Sequence, residues 1–261
     1  MEWTIRQVVN ELTSNPIENT VDTLKFGDEN NKIKKIAICF MPTYEVIKQA
    51  IKQGVNLLIC HEGVFFQHDD DQVVESEVGQ KKWKLIQSSG IAIYRLHDAI
   101  HHEYQPDGIM EGLLHHLDWM DDVEEHKEIA TIIQIPKRKL SDVIDYVKHK
   151  LNLSTVRYVG DLSMNCSRIA MLVGYRGGGL TAIPAFEVDQ VDLVIYGEGP
   201  EWETPEYIRD ANNQGNRIGA IILGHLESEE SGMRYFAKRI EKRFPTIPVE
   251  FIATEQCIKW K

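Results

Sequence analysis

Short, strongly apolar runs alternate with segments of helical periodicity along most of this chain. The run LLIC (57–60) is typical, because it follows a helix-like segment at 43–54 and ends on the polar pair His61 and Glu62. Runs this short and this uniformly apolar are typical of buried, central strands. Strands that alternate with helices indicate an α/β fold.

The same two periodicities predict the principal elements of the chain. We expect strands within 34–43, 55–60, 91–96, 128–136, 167–179, 191–198 and 219–224. We expect helices at 5–12, 43–54, 79–90, 107–119 and 141–152. The acidic stretch at 118–128 changes the local composition and predicts a domain boundary.

Composition excludes several classes of function. The formal net charge of -11 disfavours nucleic-acid binding, which needs a clustered Lys/Arg surface. The four cysteines form no CxxC pair, so we expect a reducing cytoplasm and neither disulfides nor a zinc ribbon. The first residues lack the basic and apolar regions of a signal peptide, and no apolar stretch approaches the roughly 18 residues of a membrane span. We therefore expect a cytoplasmic protein with no nucleic-acid partner and no membrane association.

Three predicted strands end directly on histidines and carboxylates. In open α/β sheets the ligand crevice lies outside the carboxyl ends of the strands. Imidazole and carboxylate together suit a first-row divalent ion such as zinc, manganese, iron or cobalt. The three clusters are His61 with Glu62, His97 with His101, and His225 with Glu229. The sequence therefore predicts a metal site at the strand ends.

Each cluster also has a simpler interpretation when it is taken alone. The segment 97–105 fits a solvated turn, 225–229 fits an exposed helical pair, and 68–71 lacks EF-hand spacing and predicts a solvated turn. The glycines at 177–179 fit an anion cradle, a tight turn or a loop that passes close to another chain, and their spacing disfavours the anion cradle. The carboxylates within 198–203 predict a solvated acidic loop. The repetition of clusters after three strands is what favours a metal site.

The chain resembles the NIF-three-like proteins, which are catalogued as GTP cyclohydrolase 1 type 2 homologues and described as dinuclear-metal-centre hexameric proteins. The stretches that carry the resemblance are, in order, ICHEGVFF, LHDAIHH, VGYRGGG, IYGEGPEWE and GHLESE, and GHLESE is the most specific of them. Glu62 stands where the family pattern has a second histidine. His101 stands where it has the aspartate that helps to hold two metals. The chain therefore resembles a divergent branch with HE and HDxxH signatures.

The resemblance implies a ligand set and an architecture. The implied metal ligands are His61, Glu62, His101, His225 and Glu229, with His97 as a further ligand or a residue that supports one. One or two divalent ions per chain are implied, with Glu62 or Glu229 as the bridge if there are two. Two interlocking α/β domains with mixed sheets and helices packed on them are expected, because the GHLESE segment would return to the strand ends of the first domain. The expected boundaries are 1–126 together with 219–261 for the first domain, and 127–218 for the second.

Two classes of function remain open from the sequence. In the first, the protein is a metal-dependent hydrolase, and Glu62 or Glu229 moves a proton while metal-activated water attacks a nucleotide, phosphoester or cyclic amide. In the second, it is a non-catalytic metal-binding or regulatory scaffold with a closed ligand sphere. The resemblance also implies a small-molecule substrate and a homo-oligomer, a hexamer.

Overall fold

The computed structural model describes residues 2–13, 17–68 and 75–259. The chain forms two compact units, and each unit is assembled from two separate stretches. The stretches are Met1–Gly108 with Met233–Gln256 for the first unit, and Ile109–Gly232 with Cys257–Lys261 for the second.

The strands and helices of the described residues follow in chain order. The strands are β1 Leu24–Phe26, β2 Ile36–Cys39, β3 Leu57–Cys60, β4 Ala92–Arg95, β5 Val123–His126, β6 Thr131–Lys139, β7 Arg157–Val159, β8 Asn165–Leu172, β9 Leu193–Tyr196, β10 Gly219–Ile222 and β11 Val249–Phe251. The helices are α1 Ile5–Leu12, α2 Tyr44–Lys52, α3 Glu77–Ser89, α4 Asp98–His102, α5 Gly108–His116, α6 Leu140–Leu151, α7 Gly179–Glu187, α8 Thr204–Asn213 and α9 His225–Arg243.

The first unit is built on a five-stranded sheet in the order β1-β4-β3-β2-β11. Strands β2, β3, β4 and β11 run parallel, and β1 pairs antiparallel at one edge. Every residue of β2, β3 and β4 is buried, which explains why these strands are continuous apolar runs in the sequence. Apolar side chains of α2 and α3 share one core cluster with these strands. The strands predicted within 34–43, 55–60 and 91–96 are thereby confirmed.

The second unit is built on a six-stranded sheet in the order β5-β6-β8-β9-β10-β7. Its centre, β8, β9 and β10, is parallel, whereas β5, β6 and β7 pair antiparallel around it. Residues of α7 and α8 pack against these strands in a second core cluster. The predicted fold class is confirmed, because the protein is α/β with two mixed sheets and helices packed on them.

The division of the chain differs from the boundaries that the sequence suggested. Residues 109–126 and 219–232 belong to the second unit, although we expected them in the first. The reason is strand pairing: β5 pairs with β6, and β10 pairs with both β9 and β7. The acidic stretch at 118–128 contains a 3-10 turn and β5. An apolar run in the sequence predicts a strand but not the sheet that the strand joins.

Several of the elements that the sequence did not predict are short or carry unusual residues. Strands β1, β7 and β11 have three residues each, too few for a clear alternation. Helix α7 contains Pro184, which removes a backbone donor from a helix interior. Among the described helices, none combines the length and the apolar character that a membrane crossing requires.

Candidate metal centre

Strands β3 and β4 deliver two of the predicted clusters to one edge of the first sheet. Cys60 pairs with Arg95 in the parallel register, so the next residues, His61 and Leu96, leave the sheet side by side. The Nδ1 of His61 lies 3.1 Å from the carbonyl oxygen of Leu96. Because a carbonyl oxygen only accepts, Nδ1 of His61 is the donor, and Nε2 is the ring nitrogen that bears the lone pair.

Three imidazole rings converge at this edge of the sheet. The candidate ligand atoms of His61, His97 and His101 all lie within 4.8 Å of one another. The rings of His61 and His97 stack with their centroids 4.5 Å apart. The Nδ1 of His97 lies 2.9 Å from Oδ1 of Asp98, and that of His101 lies 2.8 Å from Oδ2 of Asp107. Each ring therefore has an oxygen acceptor at Nδ1, the arrangement that orients metal-binding histidines through Nε2.

The charge state of His97 suits a metal ligand. Burial lowers the pKa of His97 to about 4, against the opposing effect of its hydrogen bond to Asp98. The same hydrogen bond lowers the pKa of Asp98 below its ordinary value. His97 is thus neutral at neutral pH, the form that binds metal ions. The three-imidazole donor set fits the divalent ion that the sequence predicts.

Glu62 is held beside the imidazoles by a buried arginine. Arg95 Nη2 lies 3.4 Å from Oε2 of Glu62, and its Nε donates to the carbonyl of His61 at 3.1 Å. Arg95 also donates through Nη1 to the carbonyl of His68, and Nη2 lies 3.3 Å from the Nδ1 of that ring. Glu62, His68 and His97 form a second group whose candidate ligand atoms lie within 4.8 Å of one another. The Arg95 side chain is 0% exposed, so a fixed buried charge positions both Glu62 and His68.

Asp22 caps the short helix α4, which carries His101 and follows His97. Its Oδ1 accepts from the backbone N–H of His97 at 2.6 Å and of Asp98 at 3.0 Å. Its Oδ2 accepts from the N–H of Ala99 at 2.7 Å. A carboxylate here satisfies amide groups that have no partner within the helix. Because α4 has only five residues, this cap stabilises the turn that presents His97 and His101.

In the second unit, helix α9 begins at His225 and carries Glu229 one turn later. The Nε2 of His225 lies 3.1 Å from Oε2 of Glu229, and its Nδ1 lies 2.9 Å from Oε1 of Glu198. The Glu229 side chain is almost fully buried at 3% exposure. His225 and Glu229 therefore share one face of the helix, as their spacing predicts.

Gly174 makes room for the Glu229 carboxylate. It has φ +62, and a Cβ at this position would lie 2.2 Å from Oε1 of Glu229. Its backbone N–H donates to Oγ of Ser228 at 2.9 Å. A side chain at position 174 would therefore displace the carboxylate that contacts His225.

Gly178 lies in a bend and Gly179 begins α7, so the glycines at 177–179 lead directly into this helix and are called the glycine-rich turn here. A Cβ on Gly177 would lie 2.2 Å from Cδ2 of Tyr196, so this turn packs closely against β9. The N–H of Gly179 donates to Oε2 of Glu203 at 2.6 Å. Glu203, which we expected in a solvated loop, instead satisfies an amide at the start of α7. The chain's own carboxylate occupies the position where an external anion was considered.

The structure groups the predicted ligands within each unit and adds residues that the sequence did not predict. The first unit brings together His61, Glu62, His97 and His101, and the second brings together His225 and Glu229. The missed residues are Asp22, His68 and Arg95. We predicted a solvated turn at 68–71, and His68 is indeed exposed in a bend, but its ring centroid also lies 5.1 Å from that of His97. Residues 69–71 lie outside the described residues. The sequence does contain a signal for Arg95, because a charged residue near the end of the buried run IAIYRL indicates a buried charge.

Comparison with known proteins places the chain in a family. The family model described as Duf34/NIF3 (NGG1p interacting factor 3) matches residues 5–257. The chain belongs to this family. The resemblance that the sequence motifs indicated is thereby confirmed.

Relatives and solved structures of the Duf34/NIF3 family agree with this assignment. A Clostridium perfringens protein named GTP cyclohydrolase 1 type 2 homolog is 25% identical over 244 residues, covering 89% of this chain and 87% of its own length. A hypothetical protein from Staphylococcus aureus superimposes with a TM-score of 0.77 at 16% identity over 99% of both chains. A Bacillus cereus protein related to NIF3 gives a TM-score of 0.77 at 14% identity, covering 99% of this chain and 98% of its own. At such identities, the two solved structures show a shared fold.

The cap on α4 leads to a prediction about metal affinity. Asp22→Ala removes three acceptor contacts from the backbone at His97–Ala99, so we expect the free energy of unfolding to fall by about 1–3 kcal/mol. Because the two rings lose their support, we expect zinc affinity to fall about tenfold or more. Urea denaturation and competition with a chromophoric zinc chelator measure the two quantities.

A matched control exists for Asp22→Ala in the second unit. Asp192 accepts from the N–H and the hydroxyl of Ser167 and from the N–H of Arg168. Asp192→Ala should lower stability to a similar extent while zinc affinity stays unchanged. An equal loss of zinc affinity in both variants would contradict a specific role of Asp22.

The close approach at Gly174 leads to a second prediction. Gly174→Ala combines a positive φ with a contact on Glu229, so we expect it to lower the free energy of unfolding by about 2–4 kcal/mol. Gly90 has a similar φ of +67 but open space where a Cβ would lie, with no atom within 4 Å, so Gly90→Ala isolates the cost of the backbone conformation. We expect Gly90→Ala to cost about 1 kcal/mol. Equal losses for the two variants in urea denaturation would show that the contact with Glu229 has no energetic effect.

Proposed function

We propose that this member of the Duf34/NIF3 family is a hydrolase of small molecules that depends on a divalent metal ion. The observation that best supports the proposal is the convergence of three imidazoles, each with Nδ1 hydrogen-bonded to an oxygen. Catalytic zinc sites commonly have three protein ligands and an open position, whereas structural sites have four. The three imidazoles of the first unit supply the three ligands of a catalytic site, and Glu62 is proposed both as a further ligand and as the proton acceptor.

The protein's own residues would hold the ion and handle the proton. A bound first-row divalent ion would lower the pKa of water to about 7 and so supply a nucleophile at neutral pH. Glu62 is our proposed proton acceptor, because its Oε1 lies 3.9 Å from Nε2 of His97. Arg95 fixes the other oxygen of the same carboxylate. Glu229, buried and in contact with His225, is the second carboxylate that we propose for proton transfer.

The proposal keeps the full predicted ligand set and the predicted partners. The proposed ligands are His61, Glu62, His97 and His101 in the first unit, and His225 and Glu229 in the second. One or two ions of zinc, manganese, iron or cobalt per chain are proposed.

The substrate is proposed to be a nucleotide, a phosphoester or a cyclic amide; the cyclohydrolase name of the relatives supports the nucleotide. We also propose a cytoplasmic homohexamer, whose mass native mass spectrometry measures directly.

Metal content is the first test of this proposal. We expect protein prepared without a histidine tag to contain about one or two first-row ions per chain. A His61→Ala, His97→Ala double variant should lose bound metal, because two imidazole donors are removed. Elemental analysis measures the content. His149→Ala, which changes an exposed histidine of α6, should retain the metal content of the wild type.

Turnover then separates the hydrolase from a metal-binding scaffold. We expect the metal-loaded protein to hydrolyse a compound from a panel of nucleotides, phosphoesters and cyclic amides. Glu62→Gln should lower kcat by about 10²–10⁴, because the amide keeps an oxygen donor but cannot accept the proton. Metal content in this variant should stay close to that of the wild type. Full metal content without turnover on any class of the panel would contradict the hydrolase and favour the scaffold.

A further inference from the structure

A hollow of about 320 Å³ opens in the first unit. Met41 and Gly63 line it, and these residues come shortly after β2 and β3 end. Gly63 directly follows Glu62. The Phe40 carbonyl, next to Met41, accepts from the backbone N–H of Glu62 at 2.9 Å. The hollow therefore lies at the carboxyl ends of parallel strands, where α/β sheets bind ligands.

The walls of this hollow are apolar and accessible to solvent. Tyr44, Phe66 and Val78 line it with exposures of 43%, 64% and 65%. Large apolar groups gathered around a concave surface, and left open to water, are typical of a binding site. Two of the three are aromatic, and flat rings stack favourably on aromatic side chains.

One wall is held in place by a buried lysine. Lys82 donates from Nζ to the carbonyl of Val64, and its Nζ lies 5.7 Å from the ring centroid of Phe65 and 5.5 Å from that of Phe66. Phe66 has φ +29, a conformation uncommon for an aromatic residue that persists only when its surroundings enforce it. Lys82 thus anchors the backbone two residues before Phe66 and lies over the Phe66 ring.

The charged side chains that line the hollow are positive, whereas the net charge of the chain is negative. Among the described residues that line the hollow, the charged ones are Lys81 and Lys82, although the formal net charge of the protein is -11. Lys81 contacts Glu77 at 2.6 Å across one helical turn, with both side chains mostly exposed. Exposed pairs of this kind are weak, so a ligand anion can replace Glu77 as the partner of Lys81.

We propose that this hollow, the aryl pocket, binds a flat aromatic ring that carries an anionic group. The ring contacts Tyr44, Phe66 and Val78, and the anionic group pairs with Lys81. Binding in the aryl pocket needs no metal. Its use as the ring-binding part of the substrate site, next to Glu62, rests on the proposed hydrolase function and narrows the substrate to aromatic anions.

The test uses the full chain after metal removal and two probes that differ in charge. Naphthoate carries a carboxylate on a flat ring, and naphthalenemethanol has the same ring without the charge. We expect naphthoate to bind about three- to tenfold more tightly in ligand-observed NMR titrations. Lys81→Gln should remove this difference, whereas Phe66→Ala and Val78→Asp should weaken the binding of both probes.

Matched controls separate the aryl pocket from general surface binding. Lys242→Gln changes an exposed lysine of α9, and Leu180→Ala changes a residue with 98% exposure in the second unit. Neither should change the affinity for either probe. Equal sensitivity to the control variants and the pocket variants would overturn the proposal, as would the absence of naphthoate binding. If the wild type does not bind naphthoate and Val78→Asp changes the assembly state, the hollow is part of a protein interface instead.

The result of the naphthoate titration does not depend on the result of the hydrolase test. Binding of naphthoate by metal-free protein, without turnover after metal loading, would leave the aryl pocket standing and contradict the hydrolase. Turnover of a substrate that is not an aromatic anion, together with no binding of naphthoate, would support the hydrolase and contradict the aryl pocket.

Discussion

The parallel register between β3 and β4 is the constraint on which the candidate metal centre depends. Pairing of Cys60 with Arg95 makes His61 and Leu96 leave the sheet together. A slip of one residue would turn every side chain of one strand to the opposite face and separate the His61 ring from the Leu96 carbonyl. The register is fixed by burial on both faces, because each strand is buried throughout. The same packing that stabilises the sheet therefore aligns the polar residues that follow it.

A cation at this edge of the sheet would meet a balanced set of charges. Asp98 and Asp107 lie behind two of the imidazoles, and Glu62 lies beside them. Arg95 already compensates part of this negative charge from a fully buried position. Buried charges need such partners, because the protein interior solvates them poorly. Ligand geometry and charge balance thus come from the same few contacts.

The sequence predicted the elements that depend on local pattern and missed those that depend on long-range contact. The buried strands and the grouping of His61, His97 and His101 follow from apolar runs and from the rule for strand ends. Asp22 was not predictable, because its three amide partners lie more than seventy residues away and only the fold brings them together. The His68 position depends on the path of a loop around Arg95. The unit that receives β10 depends on pairing partners, which an apolar run does not specify.

The contact between Glu203 and the start of α7 limits what the glycine-rich turn can do. Glu203 is tethered close to the amide of Gly179, so it acts as an internal competitor for that position. A tethered group has an effective concentration of about millimolar or higher. A free phosphate would have to exceed that concentration, and it would also meet the repulsion of the displaced carboxylate. Because Glu203 already occupies this position, the turn excludes weakly binding anions. An acidic ligand would bind with a more favourable free energy elsewhere on the chain.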